Sequence, residues 1–138
     1  MGPLFSNLNP NIKDEKPKYE LVKDEDSIAD DDLVQGNTVE MVTSATGEPH
    51  CRIAAAGVRA WVVMEDCKKT FRARLRYLGH APLIVNAAGV AAGTLLKADG
   101  SGGAVAWTTG TWYIGHSEWP TGTSGQKVAC WVERGYAV

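Results

Sequence analysis

The chain has 138 residues, 44% of them hydrophobic, and a net charge of −2. That is one domain with enough apolar residues to bury a core, and too little positive charge to argue for nucleic acid. No apolar stretch approaches the length of a membrane span, and the first ten residues lack the basic start and apolar run of a signal peptide.

The charge is unevenly placed. Residues 1–32 hold four Lys against nine Asp or Glu, whereas residues 33–138 hold ten basic and seven acidic residues. With Pro3, Pro10 and Pro17 among those charges, residues 1–32 read as an extended acidic N-terminal arm, and residues 33–138 as the body. Leu4, Phe5, Leu8, Ile12 and Tyr19 punctuate the arm as apolar pegs that a purely solvated linker would not need. Asp30, Asp31 and Asp32 close it.

The body then runs as short strands. Residues 39–43 give the first, 52–56 a second and 58–65 a third with Trp61, Val62 and Val63 at its centre. Residues 71–78 alternate, with Phe71, Ala73, Leu75 and Tyr77 on one face and Arg72, Arg74 and Arg76 on the other. A period of two predicts a half-buried strand with an outward arginine row. Residues 79–82, from Gly79 to Pro82, interrupt it before 83–85 resumes. Residues 87–93 are the one helix-compatible patch, shortened by Gly89 and Gly93. Residues 95–97 and 103–108 flank Asp99-Gly100 as a hairpin, and 112–116 and 127–133 are two more strands around a loop at 120–125. The fold class is mainly β, a small barrel or sandwich with an extended N-terminal arm.

Chemistry is hard to find in this pattern. Cys51, Cys67 and Cys130 are an odd set without short spacing, which points to free thiols in a reducing compartment and places Cys130 in a strand as a small buried residue. His50, His80 and His116 stand apart from one another, so no metal site is expected. There is no Gly-x-Ser-x-Gly, and the Gly-rich turn at 100–103 lacks the Lys of a phosphate loop. The expectation is a protein without enzymatic activity, cofactor or metal. Of the five Trp, Trp61, Trp107 and Trp131 read as core, and Trp112 and Trp119 lie beside turns. Asp30, Asp31, Asp32 and the row Arg72, Arg74, Arg76 are the charged binding candidates, the row for an acidic partner surface or for the arm itself.

The order of turns and strands resembles a known family. Ala92-Gly93-Thr94-Leu95-Leu96-Lys97-Ala98-Asp99-Gly100, then the apolar strand at 103–107, then Tyr113-Ile114-Gly115, then Gly125-Gln126-Lys127-Val128-Ala129-Cys130-Trp131-Val132 is similar to the cadence of the small β-barrel phage capsid decoration, or head cement, proteins. Residues 58–66 and 71–78 fit the strands that precede it, so the resemblance covers residues 36–134. Cys67-Lys68-Lys69 stands where that family carries a Gly-containing loop, and the acidic arm is longer than in its shortest members. The resemblance implies a structural protein on the outer surface of the virion head. It binds the major capsid protein across capsomer seams, as a homotrimer, without nucleic acid or membrane. The pegs Leu4, Phe5, Leu8, Ile12 and Tyr19 and the two charged groups are then its capsid- or subunit-binding residues. A carbohydrate- or receptor-binding module of a virion fibre, using Trp112, Trp119 and Tyr136, is the alternative.

Overall fold

The computed structural model describes residues 22–43 and 47–138. Within them lie nine strands and no helix: β1 (Lys23–Ala29), β2 (Thr38–Thr43), β3 (Pro49–Ile53), β4 (Trp61–Val63), β5 (Arg72–Val85), β6 (Leu95–Ala98), β7 (Ala104–Ala106), β8 (Thr111–Ser117) and β9 (Gln126–Ala137). The fold is mainly β, as the turn spacing predicts. The pegs Leu4, Phe5, Leu8, Ile12 and Tyr19 lie outside the described residues.

Pairing follows the order β1-β3-β2-β4-β5-β7-β6-β8-β9, and two further pairings, β1 with β5 and β5 with β9, close it. Two five-membered rings result, and β5 belongs to both. Its residues Arg72 to Leu78 lie opposite β1, and Leu78 to Val85 lie opposite β9. Leu78 is where one partner hands over to the other, facing Lys23 and Glu133.

Each ring has its own core. Ala29, Leu33, Val39, Cys51, Trp61, Val63, Cys67, Ala73 and Leu75 fill the first. Leu83, Val85, Leu96, Ile114, Val128, Cys130 and Val132 lead the second. In β5 the division runs along the strand, where β9 takes over from β1 at Leu78; in β4 it follows the side-chain period of two. In β5, Ala73 and Leu75 enter the first core and Ala81, Leu83 and Val85 the second; in β4, Val62 packs into the second while its neighbours turn to the first. Leu75, Leu83, Leu96 and Ile114 are fully buried, and truncating such a side chain to Ala costs about 2–5 kcal/mol.

Several expectations change here. Strand β5 is not interrupted at residues 79–82: Gly79 takes a φ of 119°, which only glycine adopts easily, and Pro82 stays in register opposite Ala129. Phe71 is 66% exposed rather than inward, because Thr70, at φ 77°, turns the chain and β5 starts only at Arg72. Residues 87–93 form turns, not a helix, and the strands expected at 52–56 and 58–65 are Pro49–Ile53 and Trp61–Val63. Trp107 and Trp131 are half-buried, not core. In β9 the phase that buries Val128, Cys130 and Val132 sends Trp131 outward, where it meets the His80 ring edge-on at 4.9 Å.

The largest change concerns the acidic segment. Lys23–Ala29 is a strand of the first ring, antiparallel to β5 and parallel to β3 at Ile28 and Ala29. The last third of the region read as an arm is part of the sheet.

Candidate functional site

The charged candidates are best built from β1 upward. Its register sets Asp24 opposite Arg76, Asp26 opposite Arg74 and Ile28 opposite Arg72. Acidic and basic side chains thus share one face of neighbouring strands, where opposite charges attract across the pair. Asp24 accepts from Arg74 Nε at 2.9 Å, from Arg76 Nε at 2.8 Å and from Arg76 Nη2 at 3.1 Å. Arg76 also donates to the His80 carbonyl at 2.6 Å. The Arg76 hydrogen bond holds the Asp24 carboxyl below its usual range, against the opposing effect of burial and with help from Arg74.

The arginine row is therefore not uniformly outward. Arg76 is buried, at 9% exposure, with its guanidinium held between Asp24 and the His80 carbonyl. Arg74 is half-exposed in the same ion pair, and Arg72 is exposed, 3.7 Å from Glu48. The row does receive the acidic segment of its own chain, through Asp24.

Asp30, Asp31 and Asp32 do not meet the arginines. Asp30 Oδ1 lies 2.6 Å from His50 Nδ1 on β3. Asp31 accepts the Ile53 N–H at 3.0 Å, and Asp32 the Lys69 N–H at 2.9 Å. Successive carboxylates tie the exit of β1 to β3 and to the turn ahead of β5. Asp24 is the residue that sequence reasoning passed over; the signal for it was the alternation Asp24, Asp26 that matches Arg74, Arg76.

The motifs of the family cadence have structural duties. Asp99 Oδ1 accepts from Ser101 N at 2.7 Å and Gly103 N at 3.1 Å, while Oδ2 accepts from Asn86 Nδ2. This carboxylate folds the β6–β7 turn, and although burial opposes it, the three donors hold its pKa below the usual value. At Gly115 a Cβ would overlap the Trp131 carbonyl, so only glycine lets β8 and β9 approach at their bulge.

Surface features remain. Phe71, Trp119 and Tyr136 are exposed, at 66%, 67% and 52%. Trp112 pairs edge-on with Tyr136 across β8 and β9 at 5.7 Å. A shallow groove over β5 and β9 is lined by His80, Pro82, Lys127 and Ala129, and His80 Nδ1 is 2.8 Å from Glu118 Oε1 beside it. The three cysteines are free and buried; burial pushes the Cys51 thiol up to about 11 and that of Cys130 to about 12.

No protein-family model matches the sequence, and no curated protein does. Among solved structures, the fold is similar to the N base of the head fiber gp8.5 of bacteriophage phi29, with a TM-score of 0.64 and 16% identity over 81% of this chain and 94% of that one. At this identity the likeness speaks for the fold.

Proposed function

We propose that the chain is a structural protein of a phage virion that sits on the outer surface of the head as a decoration or cement protein. The observation that carries the reading is the fold likeness to a phage head component, matched over nearly all of that component's length. The order of glycines and strands that resembles the cement family supports it independently. The motifs in that order, Asp99 and Gly115, serve backbone geometry, as a role through surfaces requires.

In this reading the major capsid protein is the partner, the working unit is a homotrimer, and neither nucleic acid nor membrane is bound. A protein that binds only the assembled shell stabilises it by mass action, and many copies on a symmetric shell multiply a modest affinity. Asp24, Asp30, Asp31 and Asp32 are already engaged within the chain, whereas exposed Phe71 and Trp119, and Arg72 in its 3.7 Å pair with Glu48, present side chains at the surface. The test is to mix purified protein with expanded phage heads that lack it and pellet them. Co-sedimentation at micromolar protein is expected; its absence counts against the reading.

Exposed Trp119, with the Trp112–Tyr136 pair, favours a second reading as a carbohydrate- or receptor-binding module of a virion fibre. That role predicts glycan-dependent quenching of Trp fluorescence, which the cement role does not.

A further inference from the structure

Among the described residues, four of the six arginines hold a carboxylate: Arg52 with Glu40, Arg72 with Glu48, and Arg74 and Arg76 with Asp24. The two that hold none, Arg59 and Arg134, are both drawn to one indole. Arg134 Cζ lies 4.3 Å from the Trp61 ring centroid and Arg59 Cζ 5.2 Å from it. Arg134 also lies over Tyr77 at 5.0 Å, and Arg59 over Trp112 at 5.7 Å. Trp112 leans on exposed Tyr136.

The fold explains the convergence. Arg134 follows Glu133, the last β9 residue opposite β5; beyond it β9 keeps only β8 as a partner. Trp61 lies beneath, 7% exposed, its indole N–H donated to Glu25 at 2.9 Å. Glu25 thus bonds the indole and neither guanidinium.

Two like charges around one ring are an unsatisfied arrangement. The aromatic faces attract both cations but accept none of their N–H hydrogen bonds. Arg134 Nη1 is buried without a partner among the described residues. Burial first, and the charge of Arg59 second, bring the Arg134 pKa down to about 10, so it is still a cation at neutral pH. An incoming carboxylate would satisfy guanidinium donors that the described residues leave open.

We propose that Arg59 and Arg134, backed by Trp61 and flanked by Trp112 and Tyr136, form a docking site for an acidic segment of a partner protein. The inference stands apart from the virion reading. Charge selects the class of partner. Glu25, whose charge acts on Arg134, and Glu133, its neighbour in the chain, oppose a continuous line of phosphates, whereas a single acidic side chain meets less of that repulsion. The aromatic flank suits the carbon stem of that side chain.

The experiment titrates the full chain with an oligoglutamate peptide at low ionic strength and follows Trp emission. A saturable change is expected, lost at high salt and absent with oligoglutamine. Arg59→Gln, at an exposed position, should weaken binding about tenfold, the loss of one charge-assisted hydrogen bond. Arg52→Gln, at a paired arginine, should leave it unchanged. Arg134→Gln is compared only if its circular dichroism matches the parent; Arg59→Gln decides the matter otherwise. Any of these results overturns the proposal: no saturable response, an equal response to oligoglutamine, binding indifferent to Arg59→Gln, or tighter binding of a single-stranded oligonucleotide. Self-association abolished by Arg59→Gln without peptide binding assigns the face to a second copy and also overturns it.

Discussion

Asp24 holds Arg76 in place: the carboxylate takes two hydrogen bonds from the guanidinium, at 2.8 and 3.1 Å, and the arginine is buried beneath it. Removing the acid leaves a largely buried cation without its counterion. Asp24→Ala is expected to destabilise the fold by about 2 kcal/mol, measured by urea unfolding. Arg72→Ala, at an exposed pair 3.7 Å from its partner, should change stability by less than about 1 kcal/mol.

The same contact predicts acid sensitivity. The Asp24 carboxyl titrates below its unfolded value, chiefly through Arg76, so the unfolded state takes up the proton first. Its contribution is complete above the ordinary carboxylate range and is lost as pH falls through the depressed folded value. Asp24→Asn should therefore show a shallower loss of stability below about pH 4 than the parent. Equal slopes in the two proteins would exclude the effect.

Truncation separates the arm from the sheet. Removal of residues 1–21 should leave both rings folded, since every strand described begins after them. Removal of residues 1–32 deletes β1, opens the first ring and strips Asp24 from Arg74 and Arg76. That variant should lose hydrogen-exchange protection in β3 and in the first half of β5. If it is as protected as the parent, the closure attributed to β1 is wrong.

Gly115→Ala tests the bulge between β8 and β9. The added Cβ meets backbone, the Trp131 carbonyl, and not the tip of a mobile side chain. A loss of about 2 kcal/mol or more is expected from chemical denaturation. Gly47→Ala, where the added atom meets nothing within 4 Å, has only its φ of 81° to resist it and should cost less.

Thiol reactivity should follow burial. Cys51 and Cys130 are fully buried with raised pKa values, about 11 and about 12, so a thiol reagent at neutral pH should modify them only through unfolding. Cys67, at 9% exposure, should react first. Fast modification of Cys130 in the native protein would contradict the packing of the second core.

Much of the body was legible because its strands obey the period of two. Ala73, Leu75, Leu83 and Val85 mark one face of β5 on both sides of Gly79, and Asp99-Gly100 marks the β6–β7 hairpin. What escaped was the strand with little apolar signal of its own. In β1, Lys-Asp-Glu-Asp precedes Ser27, Ile28 and Ala29, and its place in the sheet depends on arginines some 50 residues away. The phase of Trp131 was ambiguous because Val128 to Val132 is apolar on both faces, and only the closed ring decides which side is inside. The site at Trp61 was invisible for a related reason: Arg59 and Arg134 are far apart in sequence and meet only through the close of β9.

Because β5 serves both rings, the two cores are not separable folding units. Ala73 finds Ser27 46 residues upstream, and Leu83 finds Val128 45 residues downstream. Each closure is a long-range event that a local hairpin cannot anticipate, which favours slow folding. Neither ring can lose its common stave and survive, so heat should melt both cores in one cooperative transition, with β5 the last strand to let go.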